Sequence, residues 1–176
     1  MTQDATHSRA EIQLTRTGFF LDMISQISTA LEEVVGLEDA EGYFALVGSA
    51  IGADLGRQYR AELGHDDLST DEIGQVLVDL KKRIDGGFRI ESVEDNKITL
   101  VNTRCPFGSH VVGRRSLCMM TSNVFGIISA EASGRASVDI EEAFATGHDR
   151  CRVVVYLNTP SSPGQQYFAA QDITHE

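Results

Sequence analysis

At Gly86-Gly87 the hydrophobic period of this sequence switches, and that switch limits the folds open to it. Before the glycine pair, apolar residues recur three and four apart, the spacing of helices with one buried face. After it they alternate, the spacing of strands, with one more helical stretch between two alternating pairs. A chain built this way is α+β: helices packed on an antiparallel sheet made from two hairpins with an intervening helix. Its 176 residues suffice for one domain with a real core.

The first helical pattern starts near Phe19, with Phe20, Met23, Ile24, Ile27, Leu31, Val34 and Val35 expected on one face, and Gly36 stops it. A second runs from about Glu38 to Leu63, with Phe44, Val47, Ile51, Leu55 and Tyr59 on a face. It also carries Gly48, Gly52 and Gly56 four apart. Each internal glycine costs ~1 kcal/mol of helix propensity against alanine, so a close neighbour is expected along that ridge. The neighbour is another helix of the same chain or the second copy in a homodimer, and a homodimer through the N-terminal helices is expected. Ser69-Thr-Asp-Glu72 is a capping box that opens a third helix, continued by Ile73, Val76, Leu77, Leu80 and Ile84. Lys81, Lys82 and Arg83 near its end are expected to be a solvated turn that suits the helix dipole.

Phe88–Val93 and Lys97–Asn102 then form a hairpin around Glu94-Asp95-Asn96. A fourth helix begins at Ser116 or the residue before and ends at Gly134. A second hairpin follows, with Ala136, Val138 and Ile140 in one strand and Cys151, Val153, Val155 and Leu157 in the other. Strand parity turns Cys151 inward. Residues 1–16 are expected to be a polar arm, 17–157 a single domain, and 158–176, with Pro160, Pro163 and Gly164, a tail.

All three cysteines fall between Arg104 and Leu157, and a loop, a helix start and a strand start can meet at one end of a sheet. Cys105, Cys118 and Cys151 with Glu141, Glu142 or His148 would make a tetrahedral zinc site. Buried free cysteines packing as small hydrophobes is the alternative reading. A third makes Cys118 a redox-active thiol, its pKa lowered by the helix start and by Arg114 and Arg115. Met119, Met120, Val124, Phe125 and Ile128 on the fourth helix are the expected walls of a small apolar ligand pocket, or else plain core. No nucleotide-binding glycine motif and no nucleophile elbow occurs, which favours a binding module over an enzyme.

Four pieces of the sequence together resemble the regulatory family called methanogen output domain 1. They are Cys105-Pro106-Phe107-Gly108, Leu117-Cys118-Met119-Met120, Val124-Phe125-Gly126 and Gly147-His148-Asp149-Arg150-Cys151-Arg152. More distantly they are similar to 4-vinyl-reductase-type ligand-sensing domains, which share a fold with the TRAPP vesicle-tethering subunits. In those distant cousins a zinc ion lies under the ligand pocket. The resemblance aligns Cys118 and Cys151 with its first and last ligands, puts Ala143 where a middle cysteine stands, and leaves Glu141 one place off. It implies a sensory module acting through a small ligand or a signalling protein partner.

A net charge of −11 disfavours direct binding to nucleic acid or to an anionic membrane surface. No apolar run approaches the ~20 residues of a membrane span. No secretory signal is visible at the start, and the cysteines are odd in number and widely spaced, so a cytoplasmic protein is expected.

Overall fold

A computed structural model describes residues 12–170. Residues 1–11 of the expected arm and 171–176 of the expected tail lie outside the described residues. Among the described residues four α-helices, α1 (Arg16–Val35), α2 (Leu37–Leu63), α3 (Thr70–Lys82) and α4 (Ser116–Ser133), accompany five strands. The strands are β1 (Phe88–Glu94), β2 (Lys97–Asn102), β3 (Arg135–Glu142), β4 (Cys151–Leu157) and β5 (Gln165–Phe168). They form one antiparallel sheet in the order β1-β2-β4-β3-β5. The α+β expectation holds.

Local chemistry explains most of these boundaries. Ser69 accepts the Glu72 amide while the Glu72 carboxylate accepts the Ser69 amide at 2.8 Å, closing the expected capping box of α3. Ile98, Leu100, Val153, Val155 and Val138 share the inner face of the sheet through the paired registers of β2, β4 and β3. α3 and α4 cover that face, and α4 is in turn covered by α2. Two bulges place Glu91 and Glu141 out of register in β1 and β3.

The glycine ridge serves an intrachain crossing. Gly48, Gly52 and Gly56 are the buried stripe of α2 and lie on α4. A Cβ at Gly52 would stand 3.1 Å from the Val124 Cα and 3.2 Å from the Ile127 Cβ. The two backbones are therefore in near contact, closer than a side chain at Gly52 fits without displacement.

Three expectations need correction. The apolar stripe of α1 does not all face inward: Ile24 and Leu31 pack on the core, but Phe20, Met23, Ile27 and Val34 are exposed, Val34 by 82%. What α1 buries is Ser25 and Ser28, because α1 docks by hydrogen bonds at the start of α4. The segment after Leu157 is no simple tail, since β5 extends the sheet beside β3. There Tyr167 packs its ring on Gly126 of α4, where no side chain stands in the way, and shares a 2.8 Å hydrogen bond with Ser122. Lys81, finally, is not a solvated turn residue. It lies four after Leu77 on the inward face of α3 and is only 5% exposed.

Candidate functional site

The site lies where the loop 103–115, the start of α4 and the start of β4 come together. Cys105 sits in the loop, Cys118 in the first turn of α4, and Cys151 opposite Asn102 at the head of β4. All three are half-buried free thiols and line one apolar cavity of ≈ 30 Å³, together with Phe88, Phe107 and Thr121. That volume admits a water molecule or two. A larger groove of ≈ 430 Å³ lies on the other side of the wall made by Pro106, Phe107 and Thr121. It opens between the helices and has a mostly apolar lining that includes Leu55, Leu80, Met120 and Val124.

Between the two spaces stands Lys81. Its ammonium donates to Thr121 Oγ1 at 2.8 Å and sits 5.3 Å and 5.8 Å from the ring centres of Phe125 and Phe88. Burial pushes its pKa down to about 8, and the nearby sulfurs of Cys105, Cys151 and Cys118 only partly offset this. The thiols move the other way. Burial raises all three, and Cys118, crowded by Cys151 and Cys105 as well, is pushed up to about 12. The Cys118 thiol therefore stays protonated at neutral pH. The arginines expected to favour its thiolate are spent elsewhere. Arg114 donates to Ser25 O and Thr29 of α1, and Arg115 pairs with Glu41.

The expected fourth zinc ligands are also engaged. Glu141 is held by Arg152, which bonds Glu91 as well, and Glu142 by Arg150. His148 is turned into its own loop, with Nδ1 3.0 Å from Thr146 Oγ1. Among the described residues no group of three His, Cys, Asp or Glu side chains is arranged to hold a metal ion. Metal binding would require these thiols as thiolates, in a space the Lys81 ammonium already adjoins. As arranged, the three sulfurs lack a fourth donor, because Glu141, Glu142 and His148 are engaged elsewhere.

The five residues expected to wall a pocket are divided by the helix they share. Phe125 and Ile128 face the sheet and are fully enclosed, Phe125 in an edge-to-face contact with Phe88 at 5.4 Å. Met120 and Val124, one turn apart, face the larger groove, and Met119 faces a separate, more polar cleft beside Glu41 and Arg115. Sequence reasoning missed Lys81 altogether. Its spacing from Gly74 and Leu77 marks the inward face of α3, but its charge argues for the surface.

One support of the site joins distant parts of the chain. α4 has no capping side chain of its own at Arg115. Glu32 of α1 takes that role, accepting the Ser116 amide at 3.3 Å, and Ser28 shares a 2.9 Å hydrogen bond with Ser116.

A solved structure with the same fold is a trafficking protein particle complex subunit 3 from Naegleria fowleri, covalently bound to palmitic acid. It superposes with a TM-score of 0.54 at 11% identity, covering 81% of this chain and 97% of that one. No curated protein sequence matches the chain. The model of the family described as methanogen output domain 1 matches residues 23–156, most of the chain, and the protein belongs to that family.

Proposed function

We propose that this protein is a non-enzymatic regulatory module that binds a small apolar ligand beside α4 and passes the signal to a protein partner. The observation that carries the reading is the groove of ≈ 430 Å³ between the helices, which falls within the size range of small-molecule sites and is lined chiefly by apolar side chains. Membership of an output-domain family supports a regulatory role. The trafficking subunit that shares the fold is covalently bound to palmitic acid, which supports an apolar ligand.

The partner surface is the outward face of α1. Phe20, Met23 and Ile27 are exposed on it, with Tyr43, Leu46 and Val47 of α2 nearby in sequence to Gly36. A second copy meeting these N-terminal helices would cover them, giving the homodimer expected from the sequence. The raised pKa of Cys118 speaks against a redox or catalytic thiol as the centre of the function.

Titration calorimetry with an uncharged apolar probe, 1-octanol, tests the ligand reading. Binding is expected, and filling the groove from its rim by Ile84→Trp should abolish it. No measurable binding to the native protein, or undiminished binding to that variant, overturns the assignment.

A further inference from the structure

Among the described residues, Lys81 is the one cation lining the larger groove that has no counter-charge. Of its three N–H donors one reaches Thr121, and among the described residues no carboxylate pairs with it. The two aromatic rings are a partial substitute for an anion. Arg83, on the same groove, is the contrast. Asp79 holds its guanidinium at 2.6 Å, and the Tyr59 hydroxyl donates to that carboxylate too. A charge that is 95% or so out of water and unpaired is costly, and a fold retains one where something else completes it.

We propose that the groove takes an anionic apolar ligand, a small monocarboxylate whose head pairs with Lys81 and Thr121 while its tail lies along Leu55, Ile84, Met120 and Val124. This rests on the ligand-binding reading above and names the chemical class. The carboxylate supplies acceptors for the two remaining N–H groups of Lys81. The Thr121 hydroxyl, which accepts from Lys81, has its own hydrogen free to donate to the same head. Charge-assisted hydrogen bonds in a site so poorly exposed to water are stronger than neutral ones. An alcohol with the same tail fills the groove but leaves the ammonium unpaired. An amine adds a second positive charge. With a net charge of −11 the protein as a whole repels anions, so preference for one has to come from this local cation.

The experiment compares octanoate, 1-octanol and octylamine by titration calorimetry at pH 7 on the full chain. Octanoate is expected to bind at least about tenfold more tightly than octanol, the lower end for one charge-assisted hydrogen bond, and octylamine more weakly than either. Lys81→Met keeps the buried stem without the charge and should bring octanoate down to the octanol level, with the fold checked by circular dichroism. Equal binding of octanoate and octanol to the native protein overturns the carboxylate assignment and leaves the apolar pocket standing. Failure of all three probes to bind removes the pocket reading too. The native comparison decides the question even if the variant does not fold.

Discussion

The crossing of α2 over α4 yields a sharp prediction through a pair of glycine-to-alanine substitutions. Gly52→Ala puts a methyl group 3.1 Å from the Val124 Cα, 3.2 Å from the Ile127 Cβ and 3.3 Å from the Val124 carbonyl oxygen. Carbon contacts are optimal at about 3.5–4.0 Å, so the helices must part by a few tenths of an ångström. None of those atoms can swing aside, because two are backbone and the third is the root of a β-branched side chain. Overpacking of this kind costs about 1–3 kcal/mol, against a gain of about 1 kcal/mol from better helix propensity. The net change therefore runs from neutral to a loss of about 2 kcal/mol. Gly42, in the same helix, is exposed and has nothing within 4 Å of an added Cβ. Gly42→Ala should therefore stabilise by up to about 1 kcal/mol. The difference between the variants cancels propensity and isolates the packing cost. Urea unfolding with an unchanged m-value measures it. If Gly52→Ala proves as stable as Gly42→Ala, the close crossing does not exist.

Two further predictions concern charge in the interior. Cys118 should react with iodoacetamide at pH 7.5 more slowly than a model thiol, since burial holds its pKa up at about 12; faster reaction would restore the thiol-centred reading. Lys81 titrates in the folded chain near 8 against 10.5 unfolded, so the unfolded state binds the proton more tightly and stability rises with pH above about 8. The thiols, raised in the fold, act in the opposite sense once pH passes their ordinary value near 9. Between pH 8 and 9 the native protein should therefore gain on the order of 1 kcal/mol relative to Lys81→Met in urea unfolding. Parallel stability curves for the two proteins would show that Lys81 is not buried as a charge.

What could be read from the sequence follows the reach of the forces involved. The capping box at Ser69 and Glu72 and the parity of Cys151 are decided within a few residues, and both stand in the structure. The meeting of loop, helix and strand around the three cysteines also follows from element order. α1 is different. Its pattern identifies a helix, but which side is buried depends on Ser28 and Glu32 finding Ser116 more than eighty residues away. β5 is four residues long behind a proline- and glycine-containing connection, too short for alternation to register, and its anchor is a glycine on another element. Lys81 was hidden by its own chemistry, because a lysine reads as surface whatever its spacing.

The cap that α1 provides for α4 makes two remote places mechanically one. Glu32 and Ser28 belong to the helix whose outer face is bare, while Ser116 stands two residues before Cys118 in the wall of the inner cavity. Whatever docks on α1 and shifts it by an ångström or two lengthens the hydrogen bonds at the first turn of α4. Whatever swells the space behind Cys118 pushes on that same turn from within. Were the two events to draw on one strain energy there, thermodynamic reciprocity would make the influence equal in both directions. Such a coupling would need no hinge and no loop rearrangement, only one helix end whose amide is held by its neighbour.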